Sequence, residues 1–313
     1  MGTAAGIGLF DRLVARAVPL VPGPIVRRLG APYVGGTTLE EALGLVADLQ
    51  RRHLATTVDI LGEGVDGDRT ATAAGNAYIA TLDTLAARGL PLNVSLKPSG
   101  LGSTLGWEVA RRHIDSVVAH AEALAGFVRI DMEESSAIDA TLALYRELRA
   151  CGRERLGVVL QSRLWRTADD VDALAELKPN VRLCKGIYLE PPRIAMQDRD
   201  AIRASFSALL RRLLKNGSYV AIATHDERLI VDALSAIDEL GVGTEGYEFQ
   251  TLLGVRPDLA RMLALHHTVR VYVPYGSDSF AYAQRRLREN PQIAGYVARD
   301  TLRELSRVGH APE

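Results

Sequence analysis

Little in this chain offers a covalent staple, a metal cage or a membrane anchor. Only Cys151 and Cys184 are cysteines among 313 residues. That excludes a disulfide framework and a cysteine-built zinc or iron–sulfur site, and a reducing cytoplasm is the expected compartment. A large excess of either charge is missing too. The formal net charge is −1 with no basic or acidic block, which argues against nucleic acid, whose binding rests on clustered Lys and Arg. No apolar run approaches the length of a membrane span. His53, His113, His120, His266 and His267 fall on helical positions, and no expected strand carries a His-x-His pair. A barrel-type metal hydrolase is therefore not expected, nor any metal. Gly241-Val242-Gly243-Thr244-Glu245-Gly246 matches G-x-G-x-x-G, but it follows a helix and precedes a strand, the reverse of the dinucleotide fingerprint. There is no phosphate-binding P-loop.

What is present is an alternation. Short apolar runs at 56–61, 92–96, 127–130, 156–160, 181–183, 219–223, 246–249 and 269–271 are separated by helical periods. Eight strands alternating with helices predict one (β/α)8 barrel. The expected division is an N-terminal helical or irregular segment over 1–36 and a barrel over 37–313. Several runs are rich in β-branched residues, as buried parallel strands should be. Thr38 with Glu41 opens a helix as a capping box, Thr167 and Asp170 are expected to cap another, and Asp226 opens a third. After Pro191 and Pro192, a long helix is expected over 194–214. The segment 1–22 reads as a short amphipathic helix ended by Pro19. It lacks the basic start of a signal peptide, and it is expected to pack on the barrel or a partner subunit rather than on a membrane surface.

Barrels of this kind hold their chemistry at the C-terminal mouth. The polar residues that follow the runs are Glu63, Lys97, Asp131, Gln161, Lys185, Thr224 with His225, Gln250 and Tyr272, and Arg182 lies inside its run. Lysine is scarce: Lys97, Lys178, Lys185 and Lys215 are the only ones, and two of them stand at strand ends. Such an amine can be a Schiff-base nucleophile or a cation for an anionic substrate. Asp131 could be a base, a metal ligand or an orienting acceptor. Tyr282, Arg285, Arg286 and Glu289 fall on one helix at spacings that make neighbours. Two adjacent arginines suit a carboxylate, although a solvated face with an Arg285–Glu289 pair is the plainer reading.

In order along the chain, these residues stand in Leu61-Gly62-Glu63, Lys97-Pro98-Ser99-x-Leu101-Gly102, Arg129-Ile130-Asp131-Met132-Glu133, Gln161-x-x-x-x-Arg166-Thr167, Arg182-Leu183-Cys184-Lys185-Gly186-Ile187-Tyr188, Ala223-Thr224-His225, Glu248-Phe249-Gln250-x-Leu252-x-Gly254, Tyr272-x-Pro274-x-Gly276 and Tyr282-x-x-Arg285-Arg286-Leu287-x-Glu289-Asn290. The ordered set resembles the proline dehydrogenase family, in its short single-function bacterial form. The resemblance implies a distorted barrel holding FAD without a covalent bond. It implies oxidation of L-proline to 1-pyrroline-5-carboxylate by hydride transfer from C5 to the flavin N5, with electrons passed to a quinone, as the first step of proline catabolism. By the same resemblance Asp131 and Arg182 are catalytic. Lys97, Arg285 and Arg286 hold the proline carboxylate, with Tyr272, Leu252 and Tyr282 around its ring. Met132, Gln161, Arg182, Lys185, Gly186, Ile187, Thr224, His225, Gln250 and Glu289 hold the flavin, and Glu63 is a gate that pairs with Arg285. A cytoplasmic protein that touches the inner face of the membrane would suit a quinone partner, and a homo-oligomer is left open. Cys184, Ile187 and Leu189 depart from the commoner family residues. The rival readings are a Schiff-base aldolase or lyase using Lys185, and a non-enzymatic binding barrel.

Overall fold

The structure is a computed structural model that describes residues 30–62 and 65–289, the side chains of 285–289 excepted. The amphipathic segment expected over 1–22 and the gate residue Glu63 lie outside the described residues. A helical turn at Ala31–Tyr33 and helix α1 (Leu39–Arg51) lead into strand β1 (Ala55–Ile60). Then follow α2 (Asp68–Ala87), β2 (Asn93–Leu96), α3 (Trp107–Ala123), β3 (Phe127–Ile130), α4 (Ile138–Ala150), β4 (Leu156–Gln161), α5 (Thr167–Leu174), β5 (Asn180–Cys184), α6 (Arg199–Lys215), β6 (Tyr219–Ala223), α7 (Glu227–Glu239), β7 (Tyr247–Leu252), α8 (Pro257–Leu263), β8 (Val269–Tyr275) and α9 (Ser279–Glu289). The eight strands close in sequence order into one barrel, and the joining pairs β1/β2 and β1/β8 are parallel like the rest. The fold is the expected (β/α)8 barrel.

The ends of the helices follow local chemistry. Thr38 caps α1 and Glu41 returns the bond, so the capping box is present. Asp226 caps α7 through the Arg228 N–H. Two expectations are corrected. Thr167 and Asp170 do not cap α5: the Thr167 hydroxyl donates to the Gln161 carbonyl at 2.6 Å, and Asp170 takes the Arg166 side chain. The long helix begins at Arg199 rather than 194, because Asp198 caps it and residues 194–196 are drawn into backbone bonds with Arg163 and Trp165.

Strands β7 and β8 run past their expected ends. Gln250 and Tyr272 lie within them, not after them. β8 continues through Pro274. Pro274 faces Asp59 of β1, and its carbonyl accepts from the Gly35 N–H at 2.7 Å.

Successive strand residues point to opposite faces. The outward set, including Val58, Leu96, Ile130, Leu183, Ile222 and Phe249, is almost wholly buried under the helices and forms the apolar core. The inward set is different. A barrel of this type is usually filled with bulky apolar side chains, but here Asp59, Arg129, Arg182, Glu248 and Arg270 come from the strands themselves. Arg129 fits because Gly157 stands beside it on β4: a Cβ there would lie 2.3 Å from Arg129 Nη1. The freed arm reaches the Val158 carbonyl at 3.1 Å, the Asn180 carbonyl at 2.7 Å and Asn180 Oδ1 at 2.5 Å. Gly157→Ala should therefore lower stability by about 1–3 kcal/mol, the usual cost of overpacking a filled interior. Urea denaturation followed by circular dichroism checks this, and an unchanged midpoint would mean that Arg129 can leave its slot freely.

Candidate active site

The inward polar residues converge near the C-terminal mouth. Arg182 of β5 is central and almost fully buried. Its Nη1 donates to Asp131 Oδ1 at 2.6 Å, and its Nε donates to Gln250 Oε1 at 2.5 Å. Asp131 follows β3 and is held further by the Ser95 hydroxyl at 2.9 Å and the Tyr272 hydroxyl at 3.1 Å. The same tyrosine oxygen accepts from Lys97 Nζ at 3.2 Å. Strands β3, β5, β7 and β8 do not all neighbour one another, so these bonds can form only through the barrel interior. Burial, and then the charges of Asp59 and Asp131, push the Tyr272 phenol well above its ordinary range, so it stays a neutral donor.

The first partner of Lys97 is Asp59, at 2.7 Å. Asp59 is wholly buried, and its other oxygen accepts from the Tyr78 hydroxyl at 3.3 Å. Burial drives the Asp59 carboxyl upward, and Lys97 works against that. Burial alone would lower the Lys97 ammonium, but Asp59 and Asp131 outweigh it and raise it above its usual value. Lys97 is thus held as a cation. A cleft of about 590 Å³, its open mouth included, lies beside it, lined among others by Leu61, Gly62, Tyr78, Lys97 and Tyr282. Arg285, Arg286 and Glu289 belong to α9, the helix that brings Tyr282 to this cleft, and their side chains lie outside the described residues.

A second group gathers around β5 and β6. Lys185 Nζ lies 2.6 Å from Asp226 Oδ2, which also takes Arg203 Nε at 2.7 Å. These two cations hold the Asp226 carboxyl below its ordinary value against the opposing effect of burial. An ion-paired lysine is the reverse of the desolvated free amine that a Schiff base needs, so Lys185 reads as a cation rather than a nucleophile. The Asp226 N–H donates to the Thr224 hydroxyl at 3.1 Å, and the Leu252 N–H donates to His225 Nε2 at 3.0 Å. That bond places the imidazole proton on Nδ1. Gln161 Nε2 donates to the Glu133 carbonyl at 2.9 Å, next to the buried Met132. Gly186 has φ +95°, and a Cβ there would meet Gln161 Oε1 at 2.5 Å. Only glycine fits that turn without strain. Ile187 beyond it is half exposed.

One polar feature invites a ligand. Arg182 Nη2 is buried without a hydrogen-bond partner among the described residues, and natural interiors rarely leave such a donor unmet. After β5 the Gly186 turn packs against the Gln161 and Arg163 side chains. Among the described residues, no group of three or more His, Cys, Asp or Glu could hold a metal ion, and no helix is long and apolar enough to cross a membrane.

The sequence reading missed three residues here. Asp59 is the one acidic residue inside the 56–61 run, and that is its only signal. Glu248 stood in a quoted motif without a role, and Arg270, which grips it at 2.8 Å, stood in a strand run unremarked. Gln250 was assigned to cofactor binding, but its amide is engaged on both sides, by Arg182 and by Glu248 Oε1 at 2.5 Å. Removing Asp59 as Asp59→Ala should cost on the order of 3 kcal/mol, because it strands a largely buried ammonium. The urea midpoint is the measure, and wild-type stability in that variant would show that Lys97 has another adequate partner.

The family model for proline dehydrogenase matches residues 42–299. The proline dehydrogenase of Deinococcus radiodurans is 37% identical over 284 residues, covering 88% of this chain and 90% of that protein. Proline dehydrogenase 1 of Bacillus subtilis is 36% identical over 279 residues, covering 88% and 92%. Among solved structures, proline utilization A of Bdellovibrio bacteriovorus, inactivated by N-propargylglycine, superposes with a TM-score of 0.80 at 22% identity, covering 90% of this chain and 37% of that one. That last likeness speaks to the fold alone.

Proposed function

The chain belongs to the proline dehydrogenase family, and we propose that this barrel oxidises L-proline to 1-pyrroline-5-carboxylate with FAD as its cofactor. The observation that carries the reading is the Arg182 guanidinium. It is locked by Asp131 and Gln250, with Nη2 buried and unmet. An acceptor-rich ring is the kind of group that such a donor receives. When bound, FAD supplies the two-electron acceptor for the hydride from proline C5, its N5, and the electrons go on to a quinone.

The protein's own part is to bind, orient and exclude water. Arg182, Lys185, Gly186, Ile187, Thr224, His225, Met132, Gln161 and Glu289 hold the cofactor, and Gln250 acts through Arg182. Lys97, Arg285 and Arg286 take the proline carboxylate. Tyr272, Leu252 and Tyr282 wall the ring. Asp131, held by three donors, orients the substrate rather than donating a proton. Proline loses a hydride from C5 and a proton from nitrogen as the C–N bond becomes an imine, so it enters the chemistry as the neutral amine. Glu63 pairs with Arg285 to close the mouth over bound substrate. Residues 1–36 precede the catalytic barrel, and the protein works in the cytoplasm, touching the inner face of the membrane where its quinone lies.

Purified protein should be yellow, and anaerobic proline should bleach it. Colourless protein that takes up no added FAD would overturn the reading. Arg286→Met should raise the proline KM roughly ten- to hundredfold with the flavin still bound, because a charge-assisted hydrogen bond is worth about 1.5–3 kcal/mol. Steady-state kinetics on the yellow variant decide it, and unchanged values would place Arg286 outside the pocket.

A further inference from the structure

Below Arg182 runs a chain of buried polar contacts of which the reading above uses only the first. Arg182 Nε donates to Gln250 Oε1 at 2.5 Å, and Gln250 Nε2 donates to Glu248 Oε1 at 2.5 Å. Glu248 is gripped by Arg270 through Nε at 2.8 Å and Nη2 at 2.9 Å. Arg270 Nη1 donates to the Thr56 carbonyl at 2.9 Å. The chain thus crosses from β1 through β8 and β7 to β5, and every side chain in it but Arg270 is almost wholly buried.

A glutamine amide can sit in either of two flips that differ only in which end carries the oxygen. Here only one flip satisfies both neighbours. Arg182 can only donate. Glu248, paired with Arg270, can only accept. Reversed, the amide would set NH2 against a guanidinium and C=O against a carboxylate. Glu248 therefore fixes Gln250, and Gln250 takes Arg182 Nε. With Asp131 on Nη1, the guanidinium is pinned at two nitrogens and Nη2 alone remains.

We propose that Glu248 is a positioning residue: by locking the Gln250 amide it sets the Arg182 guanidinium so that Nη2 is the donor left for the cofactor. The inference rests on the flavin reading. A loosened guanidinium stabilises the reduced, more negative flavin less, so its effect is written in the cofactor's potential and not only in turnover. Proline affinity should hardly change, because none of the three residues takes the carboxylate.

The test uses the FAD-loaded protein and the variants Glu248→Gln and Gln250→Met, each alone and in an Arg182→Met background. The midpoint potential of the bound FAD, the rate of its anaerobic reduction by proline and the proline KM are measured. Each single variant should lose about tenfold in the equilibrium constant for reduction, about 30 mV for a two-electron couple. Reduction should slow by a similar factor with KM within about twofold, and neither variant should have any further effect once Arg182 is methionine. Unchanged potentials, or effects that add in full to that of Arg182→Met, would overturn the proposal. Should Glu248→Gln not fold, Gln250→Met decides alone, since it leaves the Glu248–Arg270 pair in place. Wild-type protein that takes up no FAD would overturn the functional reading before any variant is compared.

Discussion

A charge shut away from water must be paired or hydrogen-bonded, and that constraint governs this barrel. Asp59 meets Lys97, Asp131 meets Arg182, and Glu248 meets Arg270. Each partner comes from a different strand, so the pairs also fix how the strands align. A slip of one residue would turn Arg182 or Glu248 outward into the apolar layer beneath the helices. There an unpaired ion would cost several kcal/mol. Strand register and site geometry are therefore set by the same contacts. Gly157 shows the dependence at one position: the backbone of β4 yields its side-chain space so that Arg129 can reach three oxygen acceptors.

Such an interior gives little net stability. Buried ion pairs often do little more than offset their own desolvation, and charged side chains take much of the space that apolar filling usually occupies in a barrel of this kind. The stabilising burial lies outside instead. Phe206, Tyr145, Ile114 and Leu82 are completely enclosed between strands and helices, where each large apolar side chain contributes about 1.5–3 kcal/mol. The division of labour is spatial: the outer layer supplies stability, and the inner one is left free for charge.

The barrel was legible in the sequence because its signal is periodic. Eight alternations of apolar strand and amphipathic helix admit few other closures, and Thr38 and Asp226 mark helix starts by chemistry local to three residues. The polar strand ends were legible too, since a barrel of this kind leaves few other reasons for Lys97, Asp131 and Arg182 to stand there. Pairing was not legible. Alternation tells which face a residue takes, not whom it meets across the barrel. Lys97 finds Asp59 thirty-eight positions earlier, and Tyr272 reaches Asp131 from 141 positions away. β7 and β8 run past their expected ends for a related reason: residues 250–252 pair with 270–272, and 270–275 pair with 55–60, and neither pairing is local. Thr167 looked like a cap because its true partner, the Gln161 carbonyl, belongs to the preceding strand.

The pairing also leaves a remainder. Once Lys97, Arg182 and Arg270 are matched with Asp59, Asp131 and Glu248, Arg129 is the one cation of this interior set whose bonds go only to neutral oxygens. Burial and the nearby Arg182 both push its guanidinium down from its usual value, and Glu248 and Asp131 push back. A guanidinium does not give up its proton under such pressure in a protein, so the charge stays. Arg129 stands two residues before Asp131, in the space that Gly157 leaves for it. Each other cation of the set meets a carboxylate, so the set as a whole is left positive. The excess charge sits on β3 among neutral oxygens, inside the barrel rather than in its mouth.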